Sequence, residues 1–351
     1  MKTSSGFEDI IAALTGTLGE IPFAKIKRSK LAAKLKELID VSLTISFGDR
    51  TSRQLIIVTR NNGQPRLVRE AINQLYRARK EFPGAYGIVG APYISPASAR
   101  ICIEEGVGFV DMSGNCRLTF DKVFICREGS GNIFPEKRDL RSLYSPRATR
   151  VLRVFLNDPK HRWRFIPLAG EAGVSVGQIA NVKKLLKDRE WISEDSDGFF
   201  LIKPNDVLME WRQIYTFRKN KLHDFYCMAE IPKIEADLAA LCSAKKIPFS
   251  LTGFSGAARL VPGIRYQRIM AYAGSVDQEI IKGLGLKEVT SGANVSLLLP
   301  YDDGVFYAMR NVDNVPVVSP VQAYLDLAEF KGRGEEAAQI IYERILSPSW
   351  R

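Results

Sequence analysis

The sequence is poor in histidine. His161 and His223 are its two histidines, so a histidine-rich metal site or a Ser-His-Asp triad has little to draw on. The five cysteines, Cys102, Cys116, Cys126, Cys227 and Cys242, are odd in number and form no Cys-x-x-Cys pair. That favours buried reduced thiols over a disulfide framework or a zinc clip. No apolar run approaches the roughly 18 residues of a membrane helix, because Arg, Asp or Gly interrupts the longest candidates. The opening residues MKTSSGFEDIIAALTG carry two acids and lack a signal peptide's basic-then-apolar layout, so a cytoplasmic location is expected. Internal repeats and low-complexity segments are missing as well.

Charge is what the chain has in excess. Its 351 residues are 46% hydrophobic and 25% charged, the balance of a globular chain long enough for two or three cores. The net charge of +11 points to a polyanionic partner. Most of it is local: Lys137 to Lys221 holds 18 Lys and Arg against 10 Asp and Glu.

The apolar spacing predicts a mixed α/β, multi-domain chain, with domains at 1–135, 144–215 and 216–351. A helix is expected over Gly6–Leu18 and a second, basic one over Ala24–Ile39. The runs VSLTISF and QLIIVTR read as strand, turn, strand, followed by a helix from Arg66 to Glu81 and the buried strand YGIVGA. Ser95 and Pro96 open the next helix and Gly106 ends it. VGFVDM, CRLTF and KVFICRE are further strands. After a basic linker, NIFPEKRDLRSLYSPRA, the pattern becomes helix, helix, turn, helix, hairpin. A helix is then expected from Asn205 to about Phe225. A last α/β region follows, with strands VSLLLP and GVFYAMRNVDNVPVVSP and helices Val321–Phe330 and Gly334–Leu346.

The middle segment has the layout of a winged helix-turn-helix. Val151, Leu152, Phe155 and Leu156 mark a first helix, Ile166–Ala172 a second, Gly173 the tight turn, and Ser175 the cap of a third. At 100° per residue, Val176, Ile179, Val182 and Leu186 share one side of that third helix. Gly177, Asn181 and Lys184 share the other, flanked by Gln178 and Lys187. Such a face suits a major groove: Gly177 permits close approach, Asn181 and Gln178 match an adenine edge, and lysines, Lys183 included, reach phosphates. Arg147, Arg150 and Lys203 extend the positive surface, with Arg153, Arg162 and Arg164 as further backbone contacts. WISEDSDGFFLI forms the wing, whose acidic tip, Glu194, Asp195 and Asp197, is a poor neighbour for phosphate. A lysine-rich helix face can also be merely solvated, and small winged domains also dock proteins.

Three C-terminal strings carry a resemblance: SLTGFSGAARLVPGIRYQRIMAYA, GANVSLLLPYDDGVFY and VPVVSPVQAYLDLAEFKGRGEEAAQIIYERI. They resemble the AbiEi family, antitoxins and transcriptional regulators of type IV toxin–antitoxin (abortive infection) systems. GQPRLVREAINQL and APYISPASARICIEEGVGFVDMSGNCRL are similar to the domain that accompanies it in longer members. The resemblance implies a repressor that binds double-stranded DNA at its own promoter and counters a nucleotidyltransferase-type toxin encoded nearby. A homodimer is expected from the paired half-sites that such readers use, and no cofactor.

The resemblance also implies a restriction-endonuclease-like fold for the N-terminal domain, with a Glu-x-Lys pair directly before GQPR. Here Val58-Thr59-Arg60 stands instead, and valine cannot hold the hard cation that positions water against phosphate. Asp40, Asp49 and Asp111 are the remaining acids, although an Asx turn equally explains Asp111 in VDMSGN. The expected reading is a disarmed nuclease fold without catalytic or metal-binding residues. The competing classes are a metal-dependent nuclease and a pure protein-interaction module. LTGFSGAARL invites comparison with a phosphate-gripping loop, but RIMAYA offers no paired acids, and Asp302-Asp303-Gly304 reads as a hairpin turn.

Overall fold

A computed structural model describes residues 4–31, 37–48, 51–131 and 143–351. The chain divides into two compact units, Met1–Arg141 with Leu185–Glu190, and Ser142–Lys184 with Trp191–Arg351. The class is mixed α/β in several layers, as the spacing predicts.

The first unit is built on a seven-stranded sheet whose strands lie in chain order: β1 (Ala24–Ser29), β2 (Val41–Phe47), β3 (Ser52–Thr59), β4 (Tyr86–Ala91), β5 (Gly108–Asp111), β6 (Cys116–Phe120) and β7 (Val123–Arg127). The β3–β4 and β4–β5 pairs are parallel and the outer pairs antiparallel. Helix α1 (Ser4–Gly19) places Ile10, Ile11, Leu14 and Leu18 on one face, against Leu43, Ile45, Leu55 and Ile57. The other face packs Ile56, Val58 and Val89 against Val68, Ala71, Ile72 and Leu75 of α2 (Pro65–Ala78) and Ile101 and Cys102 of α3 (Pro96–Glu104). A central parallel strand buried on both faces needs a continuous apolar run, and Leu55-Ile56-Ile57-Val58 supplies it. As expected, Ser95 caps α3 by accepting from the Ser98 amide at 3.2 Å.

One expected element here is corrected. The basic helix over Ala24–Ile39 is a strand over Ala24–Ser29. Ala24 and Ile26 alternate into the α1-side core, and β1 shares a six-residue antiparallel register with β2. That pairing outweighs helix propensity. Residues 32–36 of the expected helix lie outside the described residues, as do Asp49 and residues 132–142 of the linker.

The second unit begins with α4 (Pro146–Asn157), α5 (Phe165–Ala172), α6 (Val176–Asp188, whose last turn from Leu185 counts with the first unit), the hairpin β8 (Ile192–Glu194) and β9 (Phe199–Leu201), and α7 (Pro204–Ile214). The expected helix to Phe225 is therefore corrected. It stops at Ile214, where Tyr215 is extended, and a 3-10 turn, Phe217–Lys219, leads into β10 (Lys221–Tyr226). Glu329 holds the break by accepting from the Phe217 amide at 2.7 Å and the Thr216 hydroxyl at 2.6 Å.

A second seven-stranded sheet follows, in the order β13-β10-β14-β12-β11-β16-β15. Its remaining strands are β11 (Phe249–Leu251), β12 (Ile269–Ala273), β13 (Lys287–Glu288), β14 (Val295–Leu299), β15 (Arg310–Val312) and β16 (Val315–Val317). One face carries Phe225, Leu251, Ala271, Val295 and Leu297, packed with Ile234 and Leu238 of α8 (Ile231–Ala244) and Ile280 of α10 (Gln278–Gly283). Helix α9 (Gly253–Leu260) follows β11, and α11 (Pro320–Ala328), α12 (Arg333–Ile341), a π turn (Tyr342–Leu346) and α13 (Ser347–Trp350) close the chain. The expected hairpin turn at Asp302-Asp303-Gly304 is instead the start of a 3-10 helix, Asp303–Phe306, capped by the Asp302 side chain on the Gly304 amide at 2.8 Å.

Candidate nucleic-acid interface

The sequence decides the turn between α5 and α6. Gly173 takes φ 61°, the left-handed region that stops a helix without steric cost. Two residues on, the Ser175 hydroxyl accepts from the Gln178 amide at 3.2 Å and starts α6. The core side of α6 is Ile179, Val182, Leu185 and Leu186, all buried. Gly177, Asn181 and Lys184 are exposed and share the outer side, with half-exposed Gln178 and exposed Lys187 flanking them on opposite sides and exposed Ser175 preceding the helix. Val176 departs from expectation: at the first turn it is 45% exposed. Together with Ile166, which is 77% exposed, it lines an open depression of about 810 Å³. Arg147, Arg150, Gly173 and Ser175 also border that depression.

Other expected contacts lie elsewhere. Lys183 is turned from the outer face: its Nζ meets Glu194 Oε1 at 2.6 Å and sits over the rings of Phe165 and Phe199, 5.0 and 4.6 Å from their centroids. Arg147 is exposed at the start of α4 and Lys203 just before α7. Arg150 gives its Nε to both carboxylate oxygens of Asp302 at 3.0 Å. Arg153 cannot reach phosphate, because it lies on the buried side of α4 and is 2% exposed. It donates to Gln322 Oε1 at 2.6 Å and lies over the Trp211 ring.

Gln322 passes that contact to a buried carboxyl that sequence reasoning missed. Its amide donates to Asp326 at 3.0 Å and to the Tyr215 hydroxyl at 2.7 Å. Tyr272, Thr252 and Tyr215 hydroxyls also donate to Asp326. Burial raises the Asp326 carboxyl above the usual carboxylate range, and these donors hold the rise back. Thr252 and Ser255 of the LTGFSGAARL loop are fully buried, Ser255 bonding the Thr252 carbonyl at 2.9 Å. Both hydroxyls serve internal packing.

The hairpin beyond α6 is pinned by Trp163, whose amide and carbonyl pair with those of Phe199 at 2.9 Å each. Its acidic tip is largely committed. Besides the Glu194–Lys183 pair, Asp195 takes Arg162 Nε at 2.7 Å, which holds its carboxyl below the ordinary value, and accepts the Asp197 and Gly198 amides.

In the first unit, Val58 is fully buried in β3. Arg60 is half-buried, bonded to the Thr59 carbonyl and Gln74, and burial lowers its guanidinium against the opposing pull of Asp40. Asp40 accepts the Thr59 amide and hydroxyl at 2.7 and 2.9 Å. Asp111 accepts the Ile94 amide at 3.0 Å and the Asn115 amide and side chain at 2.8 Å each, which makes it a buried turn former.

Residues 200–347 match the family model described as "Transcriptional regulator, AbiEi antitoxin, Type IV TA system". One solved structure, titled "Structure of EndoMS-dsDNA2 complex", is 19% identical, covering 29% of this chain and 42% of that one, with a TM-score of 0.19. No curated protein matches the chain. The C-terminal region of the chain, residues 200–347, is thus similar to the AbiEi antitoxin family of type IV toxin–antitoxin transcriptional regulators.

Proposed function

We propose that the chain is a sequence-specific DNA-binding repressor of its own operon, the antitoxin of a type IV system, with α6 in the major groove. The observation that carries the reading is the division of α6 into a buried stripe, Ile179, Val182 and Leu186, and an outer face of Gly177, Asn181, Lys184 and Lys187. An amide at the centre and lysines at the C-terminal end are what base-edge and phosphate contacts need. The excess of cations in residues 137–221 supports it, as does the pairing of the hairpin's acids with Arg162 and Lys183. The antitoxin role rests on the family, and the partner it implies is a nucleotidyltransferase-type toxin. Two copies on paired half-sites are the arrangement proposed for the operator.

A reporter driven by the DNA upstream of this chain's own gene tests the reading. Supplying the chain in trans should repress it. A reporter that stays at its basal level, with folded chain present, contradicts the proposal.

A further inference from the structure

Strands β1, β2 and β3 form a sheet with two unlike faces. Ala24, Ile26, Leu43, Ile45 and Leu55 face the α1 side. The opposite face is set by the register: Lys25 stands beside Ser46 and Ser46 beside Ser52, while Lys27 stands beside Thr44 and Thr44 beside Gln54. Lys25, Lys27 and Ser52 are exposed, and Ser46, Thr44 and Gln54 are half-exposed. These two rows contain no acid and no apolar side chain. They lie at the opposite end of β3 from Thr59 and Arg60, so the surface is separate from the position a nuclease centre would take. In sequence, residues 21–36 carry six Lys and Arg and no Asp or Glu.

We infer that this face of β1–β3 is a second, sequence-independent contact for the phosphate backbone of duplex DNA. A face kept only for solubility mixes charges of both signs. One that docks protein presents an apolar centre. Two lysines among hydroxyls and an amide are the donors that backbone contacts draw on, and strands about 4.8 Å apart with rows about 6.8 Å apart array them along a surface rather than around a small pocket. Gln54, the one side chain in these rows able to read a base edge, already gives its amide to the Ser42 hydroxyl at 3.1 Å, so the face adds affinity and no sequence preference. The inference stands on first-unit residues and does not depend on α6.

The test is binding of the full-length chain to a short fluorescent duplex of scrambled sequence, across a series of salt concentrations. The double variant Lys25→Ala, Lys27→Ala should lose several-fold in affinity, and its salt slope should shrink by about two units. Both residues are exposed, so its circular dichroism should match that of wild type. Lys25→Arg with Lys27→Arg should retain binding, and Ser46→Asp, which sets a carboxylate on the same row, should lose it. A folded double alanine variant with wild-type affinity and slope overturns the inference. So does a wild type that ignores scrambled duplex, or a loss confined to single-stranded RNA. If Asn181→Ala leaves promoter binding intact while the lysine variant weakens scrambled duplex, the α6 reading fails and this one stands.

Discussion

Lys183 and Lys184 are sequence neighbours with different work to do. Lys184 stands exposed on the outer face of α6, so Lys184→Ala should weaken binding to every duplex and lower the salt slope by about one unit. Lys183 holds Glu194 and two aromatic rings. Lys183→Ala should therefore cost about 1 kcal/mol of stability, read as a lower denaturant midpoint. An unchanged midpoint with a lost DNA contact would reverse the assignment. The outward position of Lys184 was legible because Ile179, Val182 and Leu186 fix the inner side by periodicity alone. Lys183 borders that stripe, and its destination depends on where the hairpin returns, which local spacing does not encode. Arg153 is a similar case. A basic residue in a basic segment reads as a surface cation, and only tertiary packing supplies Gln322 and Trp211 as its partners.

The α5–α6 turn and the hairpin are built from local chemistry, and their order was readable from Gly173, Ser175 and Asp197-Gly198. The hairpin depends on one close approach. Gly198 has φ 151°, and a Cβ there would fall 2.4 Å from the Trp163 carbonyl oxygen. Gly198→Ala should break the Trp163–Phe199 pairing and cost on the order of 1 to 3 kcal/mol, measured by chemical denaturation; wild-type stability would show that the bridge does not anchor the hairpin. Two elements were misread as helix for a common reason. β1, with Lys-Ile-Lys-Arg, and β10, with Lys-Leu-His-Asp-Phe, are short and rich in charge. Each has too few apolar residues to reveal a period of two. Their partners β2 and β14 lie 12 and about 70 residues further along, so long-range pairing decides what a local window cannot.

At the scale of the whole chain, both sheets bury their central strands and four of the five cysteines with them. Burial pushes the Cys102 thiol up to about 12 and Cys242 to about 11, which leaves almost no thiolate at neutral pH. Cys126 on β7 is exposed. The native chain should take up one equivalent of a thiol reagent quickly, at Cys126, and the rest only on unfolding; rapid labelling of Cys102 would show the first unit to be looser than its packing implies. The C-terminal resemblance was legible as strings, and the family match covers the same residues. The buried Asp326 network was not, because its members come from α4, β12, α11 and the loops at Tyr215 and Thr252. Base reading by α6 is measured by the ratio of affinities for own-promoter and scrambled duplex in wild type and Asn181→Ala. Wild type should prefer the promoter, and Asn181→Ala should give up about 1 to 3 kcal/mol of that preference, with scrambled-duplex affinity unchanged. A folded Asn181→Ala chain that keeps the full wild-type ratio would contradict it.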